Sequence, residues 1–360
     1  MMHEQVSEQT KLTRTETEPS PGLSRKITGE VEIVPGWYPI AASSAVVRRK
    51  PLGVRRFGKA MVLWRSDDGR AICMPDRCTH RAAALSPGKI RDGCLECPYH
   101  GLRFDASGRC VLIPANGVGA PVPDGFNLPA ITVREEHGLI WFWYGHGEPS
   151  LEIPWIHGAS EPGFGTTDYS WEASAPYLRI VENVLDFHHF PILHRSMIPG
   201  IGTRMDEMDA HLEDNVVVFS ATMRYEKPGA LRRDARIKAR YILPSIALIE
   251  FGGFYVNYFL TPIDDDHCWV LSRYRGIKIG GWLGSAAGII ATRYDRAIFL
   301  LQDRGVLLSQ SDPVGDLSHF KLFHADRALG LFWGLRKQAL HEAHRNAAAV
   351  GNDSAAAAAG

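Results

Sequence analysis

Between about Val31 and Gly145 short apolar runs alternate with turn signals. The runs "GWYPIAAS", "VRRFGKAMVLWR", "AICMPD" and "GLIWFWYG" are punctuated by Gly, Pro and Asp every eight to twelve residues or so, the rhythm of a small all-β domain. "EPSLEIPW" (Glu148 to Trp155) then reads as a linker. The second half is mixed. "YLRIVENVLDFHHF" has helical periodicity, while "NVVVFSATMRY", "ARIKARYIL", "SIALIEFGGFYVNYFL" and "HCWVLSRYRGI" read as antiparallel strands. Two long helices follow in "SAAGIIATRYDRAIFLLQDRGVLLSQ" and "ALGLFWGLRKQALHEAHRNAA". Strand runs followed by helix runs predict an α+β domain. The chain divides into a disordered tail over 1–30, a first domain over 31–147, a second over 148–345 and a low-complexity, frayed tail over 346–360. There is no internal repeat.

Composition narrows the function. Hydrophobic residues make up 45% of the 360 positions, enough for a sizeable core. Lys plus Arg equals Asp plus Glu at 40 each, which argues against nucleic acid as the main partner. The N-terminus has no apolar core and so is not a signal peptide. The apolar stretch "IGGWLGSAAGIIAT" is short and Gly-rich, whereas a bilayer span needs roughly 20 apolar residues; it reads as the start of a buried helix. Five of the six cysteines lie between Cys73 and Cys110. That clustering points to metal or redox chemistry in a reducing compartment, hence a cytoplasmic protein.

The first constellation is "CTHRAAALSPGKIRDGCLECPYH", with Cys78 and His80 at one end and Cys97 and His100 at the other. Zinc sites usually pair Cys with Cys and His with His. Here each short pair holds one of each, which suits a two-iron cluster with Cys on one iron and His on the other. Cys94-x-x-Cys97 leaves a zinc site open as the alternative, with Cys73, Cys94 and Cys110 otherwise read as small core residues. "CTHR…CPYHGLRFD" resembles the Rieske [2Fe–2S] motif, and the resemblance extends over about Gly36 to Gly145. One departure is Leu102, where many Rieske domains have Trp.

The second constellation is "VENVLDFHHFPILH". Read as a helix from Leu178 to Phe190, it places Glu182, Asp186 and His189 on one stripe. Acids and a histidine on an inward stripe are costly to bury unless they hold a metal or one another. Pro191 is expected to break the helix and swing His189 and His194, five residues apart, onto one ion. Two His plus one carboxylate with open positions is the facial triad of non-haem Fe(II) oxygenases. The spacing Asp186-x-x-His189-x-x-x-x-His194, preceded by Glu182 and Asn183, resembles the mononuclear iron motif of Rieske oxygenases; His188 competes for the place of His189. In that family the third ligand lies in a C-terminal helix, which points to Asp303 in "FLLQDRGVLLSQ", with Asp295 and Asp312 as rivals.

Together the two motifs resemble the Rieske non-haem iron oxygenases, terminal component. "GWYPIAASSAV", "FGKAMVLWR" and "LRIVENVLDFHHFPILH" look most like the single-component aminopyrrolnitrin oxygenase and O-demethylase type. The resemblance implies a helix-grip catalytic domain, a curved antiparallel sheet around a long helix. It implies a [2Fe–2S] cluster and a mononuclear Fe(II), and a homotrimer in which Asp186 bridges His100 of one subunit to His189 of the next. It implies a monooxygenase using O2 to oxidise a small aromatic or heterocyclic substrate by hydroxylation, N-oxygenation or demethylation. Desaturation, oxidative cyclisation, or a non-oxygenating electron-transfer or ligand-binding role stay open. The chain has neither a dinucleotide-binding Gly motif nor plant-type ferredoxin cysteines, so electrons are expected from a ferredoxin or an NAD(P)H-dependent reductase. The basic runs "RRKPLGVRR" and "RYEKPGALRRDARIKAR" read either as solvated strand faces or as a docking patch for an acidic ferredoxin. Phe187, Phe254, Tyr255, Tyr258 and Phe299 are candidates for lining an apolar pocket or for plain core.

Overall fold

A computed structural model describes residues 31–145, 149, 152–156, 166–197, 201–224, 234–251, 254–275, 282–311, 314–315, 318 and 320–358. The tail expected over 1–30, residues 225–233 of the second basic run, and Asp312 lie outside the described residues. The first half is all β: β1 (Gly36–Ala42), β2 (Leu52–Arg56), β3 (Lys59–Arg65), β4 (Ala71–Pro75), β5 (Lys89–Arg91), β6 (Cys94–Glu96), β7 (Arg103–Phe104), β8 (Cys110–Leu112), β9 (Val133–Glu136) and β10 (Leu139–Tyr144). They form three antiparallel sheets, ordered β1-β10-β9, β2-β3-β4 and β5-β6-β7-β8. Trp64, Met74, Leu85, Leu95 and Phe104 fill the core between the last two.

The second half contains β11 (Thr166–Ala173), α1 (Tyr177–Leu185), α2 (Phe190–Leu193), β12 (Arg204–Glu213), β13 (Val216–Arg224), β14 (Ala235–Ile242), β15 (Ile246–Phe251), β16 (Phe254–Pro262) and β17 (Cys268–Arg275). Then come α3 (Trp282–Ile298), a π-helical turn over Phe299–Asp303, α4 (Arg304–Ser309) and α5 (Arg327–Ala358). The strands make one seven-stranded antiparallel sheet, ordered β11-β17-β16-β15-β14-β13-β12. α3 packs on β11 and β17, and α5 on β12 and β13. Period-two alternation sets the faces. In β14, Ile237, Ala239 and Tyr241 point into the core while Arg236, Lys238 and Arg240 form an exposed row. No described helix is long and apolar enough to cross a membrane. The backbone of α5 stays helical through Ala358, where a frayed tail was expected.

The two halves share their cores. Tyr38, Ile40 and Ile140 pack in one cluster with Phe219 and Tyr241, and Trp37 and Trp141 in another with Phe259 and Trp269. Arg56, at the end of the first basic run, belongs to this seam and not to a docking surface. It is buried over the Trp269 ring at 4.5 Å and donates to the Ile40 carbonyl at 2.9 Å.

The expected helix Leu178–Phe190 is shorter than its periodicity implied. α1 ends at Leu185, and Asp186 is extended. The Asp186 carboxylate accepts the backbone N–H groups of His188 at 3.1 Å and His189 at 3.4 Å. Such local side-chain bonds compete with helix continuation. Pro191 then sits in the first turn of α2, which starts at Phe190, and breaks nothing, because a proline in the first helical turn has no N–H to waste.

Candidate metal centres and the cavity between helix and sheet

Cys78 and Cys97 head two loops with the same hydrogen bonds. Cys78 N–H donates to Ala83 O at 2.8 Å, and Ala82 N–H returns to Cys78 O at 3.0 Å. Cys97 N–H donates to Leu102 O at 2.8 Å, and Gly101 N–H returns to Cys97 O at 3.0 Å. Each turn needs a left-handed residue at the same place, Ala82 with φ 59° and Gly101 with φ 74°. The repeated turn buries both thiols and leaves His80 and His100 exposed above them. The two imidazole Nδ1 atoms lie 3.2 Å apart. Burial pushes the Cys78 thiol up to about 11, and the neighbouring Cys97 adds to that. Two adjacent buried thiols become thiolates only beside strong positive charge. Leu102 is buried in the core beneath the loops, so its departure from Trp is a packing change.

Among the described residues, only His189, His194 and Asp303 bring three ligand atoms within 4.8 Å of one another. Cys78, His80, Cys97 and His100 do not close on one point, which suits two bridged irons better than one zinc. Cys94 sits half-buried in β6, and Cys73 and Cys110 are buried.

The second centre is built on α2, a single helical turn. His189 caps its start and His194 its end. Their Nε2 atoms face each other at 3.1 Å, and Asp303 Oδ1 lies 3.3 Å from His194 Nε2 and 3.6 Å from His189 Nε2. Asp303 ends the π-helical turn, a widened turn of the kind that recurs at functional sites. The widening lets consecutive residues address one imidazole. Gln302 Oε1 is 2.8 Å from His194 Nδ1 while Asp303 faces Nε2. Asn183 donates to Asp303 Oδ1 at 3.4 Å. Burial lowers the His194 imidazole and raises the Asp303 carboxyl, each partly countered by the other. A buried imidazole kept neutral has its lone pair available to a metal.

Asp186 stands behind His189. Its Oδ2 is 3.4 Å from His189 Nδ1 and its Oδ1 2.9 Å from His188 Nδ1. Burial would push this carboxyl up, but the contacts with His188 and His189 outweigh it and hold it well below the usual carboxylate range. His188 turns away from the triad toward Asp186 and, at 3.9 Å, Asp326. Glu182 pairs with Arg179 at 2.8 Å, both buried, and takes no part in the triad. Asp295, the rival third ligand, bonds Tyr258 and Ser272 instead. Gln302 carried no signal in the sequence, because its role arises from the π-helical turn.

The triad opens on a cavity of about 520 Å³ between α3 and the sheet, within the usual range for small-molecule sites. Its wall is mostly apolar, with Trp171, Ile180, Leu260, Val270 and Phe299 among the lining residues. Tyr258 and Phe299 line it, whereas Phe187 is core, stacked on Phe219, and Tyr255 packs against the core at the domain seam. On its other side the triad meets a second hollow of about 390 Å³ that includes Asp186.

Residues 36–124 match the Rieske [2Fe-2S] domain family, and residues 173–328 match the vanillate O-demethylase oxygenase C-terminal domain family. The chain is 37% identical over 164 residues to aminopyrrolnitrin oxygenase PrnD of Pseudomonas fluorescens, an alignment covering 44% of this chain and 45% of that protein. It is 35% identical over 186 residues to the oxygenase component of dicamba O-demethylase of Stenotrophomonas maltophilia, covering 51% and 52%. These alignments span about half the length of each relative. The fold matches the solved structure of Pseudomonas putida CBB5 NdmA with a TM-score of 0.68 at 21% identity, covering 86% of this chain and 91% of that one.

Proposed function

We propose that this chain, a Rieske oxygenase by the two domains it joins, is a terminal oxygenase that oxidises a small aromatic or heterocyclic substrate as a monooxygenase. One observation carries the reading. His189, His194 and Asp303 converge on a largely apolar cavity, in a chain that also presents paired Cys and His on twin loops.

The residues fit both metal groups. Cys78 and Cys97 would hold one iron of a [2Fe–2S] cluster and His80 and His100 the other; His189, His194 and Asp303 would hold the mononuclear Fe(II). When bound, the cluster stores an electron and the mononuclear iron activates O2. Gln302 fixes the ring of His194 and Asp186 that of His189, so that each presents Nε2 to the metal position. The apolar wall keeps water from the reacting atoms, and pocket shape selects which of them is presented.

The electron path is read across subunits. The imidazoles of His80 and His100, with Tyr99 packed on His100 at a ring distance of 3.7 Å, form an exposed tip, and among the described residues no hydrogen bond or ring contact joins it to His189, His194 or Asp303. Phe323, edge-on to the His188 ring at 5.0 Å, and Ile192 on α2 are 60% and 64% exposed, apolar surface that a neighbouring tip would cover. We therefore read the assembly as a homotrimer in which Asp186 joins His189 to the partner subunit's cluster histidine. Ferredoxin, or a reductase acting directly, supplies the electrons, and Arg236, Lys238 and Arg240 offer a basic row for an acidic donor. No disulfide joins the six cysteines, two of them given to the cluster, which suits a reducing compartment such as the cytoplasm. The test is turnover of an aromatic panel under isotopically labelled O2 with a ferredoxin–reductase pair. One labelled oxygen atom in product, or one lost methyl group as aldehyde, supports the reading; electron consumption with no oxidised product from any substrate contradicts it.

A further inference from the structure

Asp295 is a half-buried acid on the cavity wall that the metal centres leave unused. It lies on α3 eight residues before Asp303, about 12 Å of helical rise away. It lines the same cavity as the triad. Tyr258 Oη donates to its Oδ1 at 2.7 Å and Ser272 Oγ to its Oδ2 at 3.1 Å, and the Tyr274 hydroxyl is a third neighbour. All three partners are neutral hydroxyls. No Lys or Arg is among the described residues lining the cavity.

A carboxyl held on an apolar cavity wall with no cation beside it is an expensive way to fasten a helix to a sheet, and apolar residues would do it at lower cost. A carboxylate offers about four acceptor positions, and three hydroxyls leave one open. Burial pushes this carboxyl up to about 6. An incoming N–H donor would satisfy the open position, and a protonated amine would also supply the missing positive charge. An anionic substrate would meet Asp295 with no cation on the wall to compensate.

We propose that Asp295 anchors the substrate through an amine N–H, holding an amine-bearing aromatic ring system between itself and the triad, and that the cavity rejects aromatic carboxylates. The proposal rests on the reading of this cavity as the substrate site.

The test is binding, so it stands apart from turnover. Naphthylmethylamine, naphthalenemethanol and naphthoate share one ring system and differ in the polar group. Each is titrated anaerobically into the metal-loaded protein, with iron content measured on the same samples. The amine is expected to bind at least about tenfold tighter than the carboxylate, and that preference should disappear in Asp295→Asn, which keeps the shape, still accepts one hydroxyl on its amide oxygen and donates its amide N–H to another. Alcohol binding as tight as the amine, and equally dependent on Asp295, keeps the donor anchor and replaces N–H by O–H as its source. Carboxylate binding equal to or tighter than the amine in the wild-type protein overturns the proposal, as does no binding by any of the three. Loss of the oxygenase reading would appear separately, as protein lacking the mononuclear iron.

Discussion

His189 and His194 bracket one turn of helix, and their Nε2 atoms meet at 3.1 Å across it. Five residues apart on a continuous helix they would point in different directions. The interruption at Asp186 and the restart at Phe190 let them converge. Replacing either imidazole removes one of the three converging candidate ligands and leaves the twin Cys/His loops untouched. His189→Ala and His194→Ala should each lose the mononuclear iron, keep the cluster's absorption and EPR signals, and lose at least about 100-fold in turnover. Metal analysis beside cluster spectroscopy checks this; a simultaneous loss of the cluster signal would mean that the variants disturb more than the triad.

Gln302 makes the next prediction. Its side chain bonds His194 Nδ1 and reaches Ser196 Oγ at 2.8 Å on the far side. Gln302→Leu keeps the bulk and removes the bond. Iron affinity should fall by about 10- to 100-fold, with the fold unchanged. Competition with an iron chelator measures it, and unchanged affinity would show that packing alone orients His194.

Asp186 offers a test of the proposed electron path apart from metal binding. Asp186→Asn keeps an oxygen to accept the His188 and His189 backbone bonds. Both metal groups should still load, while oxidation of the pre-reduced cluster during a single turnover should slow by at least about tenfold. Normal cluster oxidation with normal product yield would remove Asp186 from the path.

Asp295 gives a pH signature. Its folded value of about 6 stands above the ordinary 3.8, so the folded protein holds this proton longer than the unfolded chain does. Stability from this group is complete below the unfolded value and is lost as pH rises through about 6, some 3 kcal/mol in all. Asp295→Asn cannot titrate there. Between about pH 5 and about pH 8 the wild-type protein should therefore lose about 1 kcal/mol relative to the variant. Denaturant melts at matched metal content measure the difference, and parallel curves would contradict it.

Much of this was legible in the sequence, for reasons that differ between sites. The Cys78–His80 and Cys97–His100 pairs were visible because each is local to one tight turn. His189 and His194 were found by spacing, yet the helix carried through Asp186 was wrong, since apolar periodicity does not register an aspartate bonding its own backbone. Asp303 was one of three acids on paper; the π-helical turn and its convergence with His189 and His194 set it apart from Asp295, and Asp312 lies outside the described residues. Gln302 gave no signal for the same reason. β11 and β12 went unread because they are the two edges of the sheet. β12 in particular, "RMDEMDAHLE", buries only Ala210 and shows little alternation to read. Arg56 looked like part of a charged surface run, and only the tertiary contact with Trp269 moves it into the core.

The central claim is that one chain holds a two-iron cluster and a separate iron. Iron, zinc and acid-labile sulfide per chain, measured on anaerobically purified protein, test it most directly. About three irons and about two sulfides are predicted, falling to about two irons with unchanged sulfide in His194→Ala. Zinc without sulfide in the wild-type protein would contradict the account.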